Sequence, residues 1–177
     1  MTKTNFSNIN LKDLACLIYE TLKNNGIDAV LVGGACVSIY SKNRYQSYDL
    51  DFVTYEELKS VEEALKKLDF KRTGRCFSHA KCPYFIDFVN PPIAIGHEPI
   101  RHFETLNTPA GSLKLLTPTD SVKDRLASYF YWNDEQALEQ ALLVAKNNTI
   151  NLKDLRLWAK EEGFLTSFKR FLEQLPS

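Results

Sequence analysis

The sequence predicts an α+β fold, a mixed sheet flanked by helices with a C-terminal helical bundle. Three observations carry that prediction. Leu14, Leu17, Ile18 and Leu22 recur at helical spacing near the start of the chain. Between residues 28 and 116, short apolar or alternating runs are separated by Gly, Pro and Asn, the pattern of strands joined by turns. From Pro118 onward the chain becomes a series of helix-length amphipathic segments broken at Asn133-Asp134, Asn147-Asn148 and Gly163. Residues 1–116 are therefore expected to form a sheet-bearing unit, and residues 117–177 a helical region packed on it.

Each element has its own signal. Residues 11–25 read as a helix stopped at Gly26. Ala29-Val30-Leu31-Val32 is a short buried strand ending at Gly33-Gly34, and residues 35–41 follow as a short helix. A strand through Asp49 and Asp51 precedes a charged amphipathic helix over residues 55–68. Residues 70–73, 75–79 and 84–89 read as successive strands with turns at Gly74 and Cys82-Pro83, and Asn90-Pro91-Pro92 ends the last. Residues 101–106 and 112–115 complete the strands. Thr117-Pro118-Thr119-Asp120 is a strong helix start, because Thr or Asp caps free N–H groups and proline suits the first turn. Helices are expected over 119–131, 134–147, 152–162 and 164–175.

Composition bounds the function. The chain has 177 residues, enough for a sizeable core, and 22 basic residues balance 22 acidic ones. No global field draws it to nucleic acid, so any such contact must be a local patch. No run approaches the roughly 20 apolar residues of a membrane span, the N-terminus has no signal-peptide run, and the four cysteines are scattered. A cytoplasmic protein with reduced thiols is the expectation. Cys76, His79 and Cys82 have a superficially zinc-like spacing. Their segment alternates like a strand, so they are read as residues packed around a hairpin.

The chemistry lies in the carboxylates. Asp49 and Asp51 stand at i and i+2 on an extended segment, on one face, among Tyr48, Leu50, Phe52 and Val53. Like charges so placed in a half-buried strand are costly unless a cation joins them. Asp87 sits in the apolar run Tyr84-Phe85-Ile86-Asp87-Phe88-Val89 and carries the same cost. If its strand lies beside the first, three carboxylates converge on one edge. Together they suit two Mg²⁺ or Mn²⁺ ions bridging a triphosphate, with Asp87 placed as general base or as ligand of the nucleophile-side ion. Gly33 and Gly34 let a helix N-terminus approach the phosphates closely.

This ordered set, Leu31-Val32-Gly33-Gly34-Ala35, then Tyr48-Asp49-Leu50-Asp51-Phe52, then Ile86-Asp87-Phe88, resembles the nucleotidyltransferase superfamily with the polymerase-β-type palm. More narrowly it is similar to the minimal bacterial and archaeal branch that includes the AbiEii-type toxins, whose helical motif residues 116–125 resemble. The resemblance covers residues 28–130. It implies an α+β palm domain, metal binding by Asp49, Asp51 and Asp87, and transfer of a nucleoside monophosphate from an NTP to a tRNA 3′ end or a protein hydroxyl. It also implies phosphate contact by Lys123 and a toxin–antitoxin or phage-defence setting with a cognate antitoxin as partner. Arg44, in the loop before Asp49, is a further candidate for contact with the phosphates or the acceptor. The chain departs from the pattern in having Gly34-Ala35 where related motifs have Gly-Ser, and in a longer gap from Gly34 to Asp49.

The remaining signals have bland readings beside functional ones. Lys71, Arg72, Arg75 and Lys81, with Phe77 and Tyr84 interleaved, read as an RNA-contacting set or a solvated hairpin face. Tyr129, Tyr131 and Trp132 are read as core. The rival to an enzyme is a catalytically inactive nucleotide-binding or regulatory module with the same fold. A third reading is a toxin–antitoxin component acting mainly through a protein interface.

Overall fold

A computed structural model describes residues 4–176. The chain forms helix α1 (Leu11–Lys23), strand β1 (Ala29–Val32), helix α2 (Gly33–Tyr40), strand β2 (Asp49–Thr54) and helix α3 (Leu58–Leu65). Strands β3 (Lys71–Thr73), β4 (Cys76–Ser78) and β5 (Phe85–Val89) follow. A two-strand ribbon, β6 (Ala94–Ile95) with β7 (Glu98–Pro99), leads to β8 (Phe103–Thr108) and β9 (Gly111–Leu116). Helices α4 (Pro118–Trp132), α5 (Glu135–Asn147), α6 (Leu152–Glu161) and α7 (Leu165–Glu173) end the chain. The expected α+β class and the C-terminal helices are observed.

Seven strands form one mixed sheet in the order β3-β4-β5-β2-β1-β9-β8. β2 runs antiparallel to β1 and parallel to β5, so both of its neighbours are strands and it has no free edge. Helix α1 packs on β1 and β9 beside α3, whereas α2 packs on β2 and beside α4 and α5. The C-terminal helices are thus continuous with the sheet's packing through α2.

Alternation explains the central strands. Leu50 and Phe52 on β2, and Ile86 and Phe88 on β5, point into the core, where Phe52 stacks on Phe88 with ring centroids 6.0 Å apart. The intervening residues face the other way. Fully burying one such side chain contributes about 1.5–3 kcal/mol, which fixes the register, because a one-residue slip would bury the aspartates instead.

Boundaries shift for local reasons. The helix expected over 55–68 is an α-helix only over Leu58–Leu65, then a 3₁₀ turn over Lys66–Leu68 that ends on Asp69 in the left-handed region. Thr117 caps α4 by accepting from the Asp120 N–H at 3.1 Å, with Pro118 in the first turn. The β6–β7 ribbon has no sequence signal. It is pinned from outside: Trp158 Nε1 donates to the Ile95 carbonyl at 3.3 Å, and Lys123 pairs with Glu98 at 2.7 Å. No helix among the described residues is long and apolar enough to cross a membrane.

Candidate active site

The parallel register sets Asp51 directly against Asp87, with Asp49 two residues along opposite Phe85. The three carboxylates therefore share one face of two inner strands, rather than an edge. Val32, the last residue of β1, is the partner of Asp51 on the other side, so Gly33 arrives beside the same carboxylate. Gly33 has φ +70°, and a Cβ there would stand 2.7 Å from Asp51 Oδ2. Only glycine satisfies both the backbone conformation and that approach.

The environment of Asp51 is electrostatically poor. Burial, reinforced by the neighbouring Asp49 and Asp87 charges and opposed by Arg125, pushes its carboxyl up to about 6. Asp49 is held differently. Ser47 Oγ donates to Asp49 Oδ1 at 2.8 Å, while the Ser47 N–H donates to Ser38 Oγ on α2 at 2.8 Å. Asp87 Oδ1 accepts from the Phe88 N–H at 2.9 Å, and Oδ2 lies 3.4 Å from Arg75 Nε.

These donors are hard oxygens of the kind that hold Mg²⁺ or Mn²⁺, and a divalent ion would relieve the repulsion that disfavours ionised Asp51. Asp49 and Asp51 fit such a group. Asp87 is turned to Arg75 and its own strand, and among the described residues no three His, Cys, Asp or Glu side chains are gathered closely enough to hold one ion. Asp87 lies 3.4 Å from Arg75, a contact that competes with its joining Asp49 and Asp51 around an ion.

Helix α2 supplies the complementary part. Its cap residue Val32 offers no side-chain acceptor, so the N–H groups of the first turn are left for solvent or an anion at the positive end of the helix. A hydroxyl also stands close. A Cβ on Gly34 would lie 3.3 Å from Ser47 Oγ and 3.5 Å from the Tyr45 ring and hydroxyl. The Ser47 hydroxyl therefore stands beside the start of α2, where it is bonded to Asp49.

Two candidates lie elsewhere. Lys123 is almost fully buried, and its ammonium lies 2.7 Å from Glu98 Oε2, 2.8 Å from Asp154 Oδ2 and 3.8 Å from Asp120 Oδ1. The structure does not bring it to the carboxylates; its charge is spent on tying α4 to β7 and α6. Arg44 lies exposed in the loop between α2 and β2. The hairpin aromatics are corrected as well, since Phe77 and Tyr84 are buried while Phe85 is 52% exposed. Tyr129 is core as expected, but Tyr131 and Trp132 are exposed. Cys76, His79 and Cys82 do not converge, for His79 packs between Phe6 and Phe70.

Sequence reasoning missed the residues that α4 turns to this face. Arg125 donates from Nη2 to Asp124 Oδ2 at 2.6 Å and from Nη1 to Gln140 Oε1 at 3.3 Å, and it is close enough to Asp51 to oppose the rise in its pKa. Asp124, with Val32, Val53, Val89, Ile95 and Leu116, lines a cavity of about 210 Å³ beyond Asp51. The adjacent acid and base at 124 and 125 were visible, but an i,i+1 pair on a helix gives no hint of which side meets the sheet.

Residues 10–71 match the family described as "Nucleotidyl transferase of unknown function (DUF2204)", about a third of the chain, including Gly33, Gly34, Asp49 and Asp51. No curated protein matches in sequence. An antigenic nucleotidyltransferase-like protein from Paracoccidioides brasiliensis superposes with a TM-score of 0.61 at 13% identity, over 89% of this chain and 90% of that one. The antibiotic-resistance factor ANT(2'')-Ia superposes with a TM-score of 0.51 at 13% identity, over 90% of this chain and 91% of that one. The chain thus has a nucleotidyltransferase-like fold along most of its length and, over residues 10–71, the sequence pattern of a nucleotidyl transferase family.

Proposed function

We propose that this protein is a metal-dependent nucleotidyltransferase that moves a nucleoside monophosphate from an NTP to a hydroxyl of an RNA, such as a tRNA 3′ end, or of a protein. The observation that carries the reading is the pairing of Asp51 with Asp87 across β2 and β5, with Gly33 against Asp51. The acceptor oxygen attacks the α-phosphorus, the bond to the bridging oxygen of pyrophosphate breaks, and the acceptor's proton passes to a base or to solvent. Divalent ions, Mg²⁺ or Mn²⁺, held by Asp49, Asp51 and Asp87 would neutralise the triphosphate and make the acceptor hydroxyl more acidic.

The chain's own contributions are positional. The N–H groups at Gly33 and Gly34 receive the phosphates at the end of α2. Ser47 holds Asp49 in one orientation. Asp87 serves the acceptor side when freed from Arg75, which leaves Arg75 close to the incoming acceptor. Arg44 would meet the outer phosphates from its loop. An assignment to a toxin–antitoxin pair rests on the sequence of residues 116–125, and copurification with a coexpressed antitoxin is its test.

The reaction is tested with [α-³²P]NTPs and Mg²⁺ against total RNA and cell protein. The wild type is expected to label an acceptor, and Asp49→Ala and Asp51→Asn to lower labelling at least about a thousandfold, roughly 4 kcal/mol of transition-state stabilisation. Labelling retained in both folded variants would overturn the mechanism. Nucleotide binding without labelling by any NTP would favour an inactive nucleotide-binding module.

A further inference from the structure

We infer that the face of the sheet beyond Asp49 is a track for single-stranded RNA, with Phe85 as the surface on which one base stacks. The inference deepens the reading of an RNA acceptor and depends on it only for why RNA is there.

Its basis is the register across the outer strands. Asp49 pairs with Phe85 on β5. β4 runs antiparallel to β5 with Cys76 against Asp87 and Phe77 against Ile86, so one step further on Ser78 comes beside Phe85. Ser78 pairs in turn with Lys71 on β3. Asp49, Phe85, Ser78 and Lys71 therefore form one row on one face, spanning three strand spacings or about 14 Å.

The row is open. Phe85 is 52% exposed and Tyr48, whose carbonyl accepts from the Phe85 N–H at 3.0 Å, is 61% exposed. An apolar ring left in solvent on an inner strand, beside a charged residue, has no packing role. At its far end the row runs into a cavity of about 1030 Å³ lined by Lys67, Lys71, Lys81, Ser78, His79 and Asp69, three cations against one carboxylate. All three lysines are exposed. The track thus offers carboxylates, an aromatic plane and then a cluster of cations, which matches a strand whose reacting end lies at the metal ligands, whose base lies on Phe85 and whose phosphates lie among the lysines. An exposed ring set between carboxylates and lysines favours a chain that carries both planar bases and phosphates.

The test is fluorescence anisotropy of a fluorescein-labelled single-stranded oligouridylate, about ten nucleotides long, without metal or NTP, so that the outcome is independent of transfer. Phe85→Ala is expected to weaken binding about tenfold, and Phe85→Trp to restore it with quenched indole emission on binding. Lys71→Ala with Lys81→Ala should weaken the oligonucleotide and inorganic polyphosphate alike and flatten the salt dependence. Polyphosphate affinity should not respond to Phe85→Ala. Wild-type oligouridylate affinity in Phe85→Ala would overturn the stacking role. Competition by an oligoglutamate peptide as strong as that by oligouridylate would assign the face to a peptide chain and overturn the inference.

Discussion

Two charged centres in this molecule are both largely out of water, and they are built on opposite plans. Around Lys123, one ammonium is met by Glu98, Asp154 and Asp120, and every partner comes from a different turn or element. Around Asp51, like charges are brought together, Arg125 is engaged with Asp124, and Arg75 meets Asp87 alone, so that among the described residues Asp49 and Asp51 have no ion pair. The first centre uses its charges to hold α4, α6 and the β6–β7 ribbon in place. The second leaves Asp49 and Asp51 without a paired cation, which is the condition for taking up a metal ion or a phosphate-bound ion. A sequence motif alone assigns Lys123 to the same chemistry as Asp51; their surroundings separate them.

The largest effect expected from breaking this contrast is at Lys123. Lys123→Ala leaves three carboxylates facing one another; removing one partner of a fully buried pair costs about 3–5 kcal/mol, and because Glu98 and Asp154 are partly exposed the low end, about 3 kcal/mol, is expected. Chemical denaturation should show a loss of that size, largely recovered when Glu98→Gln and Asp154→Asn are added. Nucleotide transfer per folded molecule should fall less than about tenfold. A larger loss would return Lys123 to the phosphates.

Asp51 should respond in the opposite direction. Its carboxyl is raised from an ordinary 3.8 to about 6 by burial and by Asp49 and Asp87. The protonated form is thus favoured by folding: the contribution to stability is fully present below about pH 4 and is lost as pH rises through about 6. Above that the charge is a liability, about 1–2 kcal/mol once solvent screening of a partly exposed group is allowed for. Asp51→Asn should therefore stabilise the metal-free protein at pH 7.5, with the gain shrinking towards nothing at pH 4, as read by thermal melts across that range. Millimolar Mg²⁺ should raise the melting temperature of the wild type and leave Asp51→Asn unmoved. Equal stability of the two proteins at pH 7.5 would mean that the Asp51 charge is already compensated.

The same contrast explains what could be read from the chain. Asp49, Asp51 and Asp87 are legible because each interrupts a period-two run of large apolar residues, and the register that pairs them follows from burying Leu50, Phe52, Ile86 and Phe88 on the other face. The glycines are legible because they stand where strand becomes helix. Lys123 is not, since its partners Glu98 and Asp154 lie 25 and 31 residues away and no local pattern connects them. The β6–β7 ribbon is invisible for the same reason, being held by Trp158 and Lys123 rather than by its own propensity. The exposed aromatic was misplaced by one residue of parity. Tyr84 and Phe85 are equally apolar in sequence, but Phe85 stands two residues before Asp87 and so shares its outward face, opposite Asp49.

The smallest expected effect tests how the carboxylate centre is held in readiness. Ser47 Oγ donates to Asp49 Oδ1 at 2.8 Å and to the Asp49 carbonyl at 3.0 Å, while its N–H is fixed by Ser38 Oγ on α2. Ser47 thus links helix α2 to the Asp49 carboxylate. Ser47→Ala removes a partly buried hydrogen bond worth about 1 kcal/mol, so the melting temperature should barely move. The freed Asp49 must then be ordered by the ion itself. Outer-shell partners of this kind typically contribute about 10–100-fold in metal affinity; because Asp49 is exposed, the low end, about tenfold, is expected in Mn²⁺ titrations. Ser47→Thr, which keeps the hydroxyl, should recover most of it. If Ser47→Ala binds Mn²⁺ as the wild type does, Asp49 is oriented by its strand alone, and the coupling between α2 and the carboxylates lies only at Gly33.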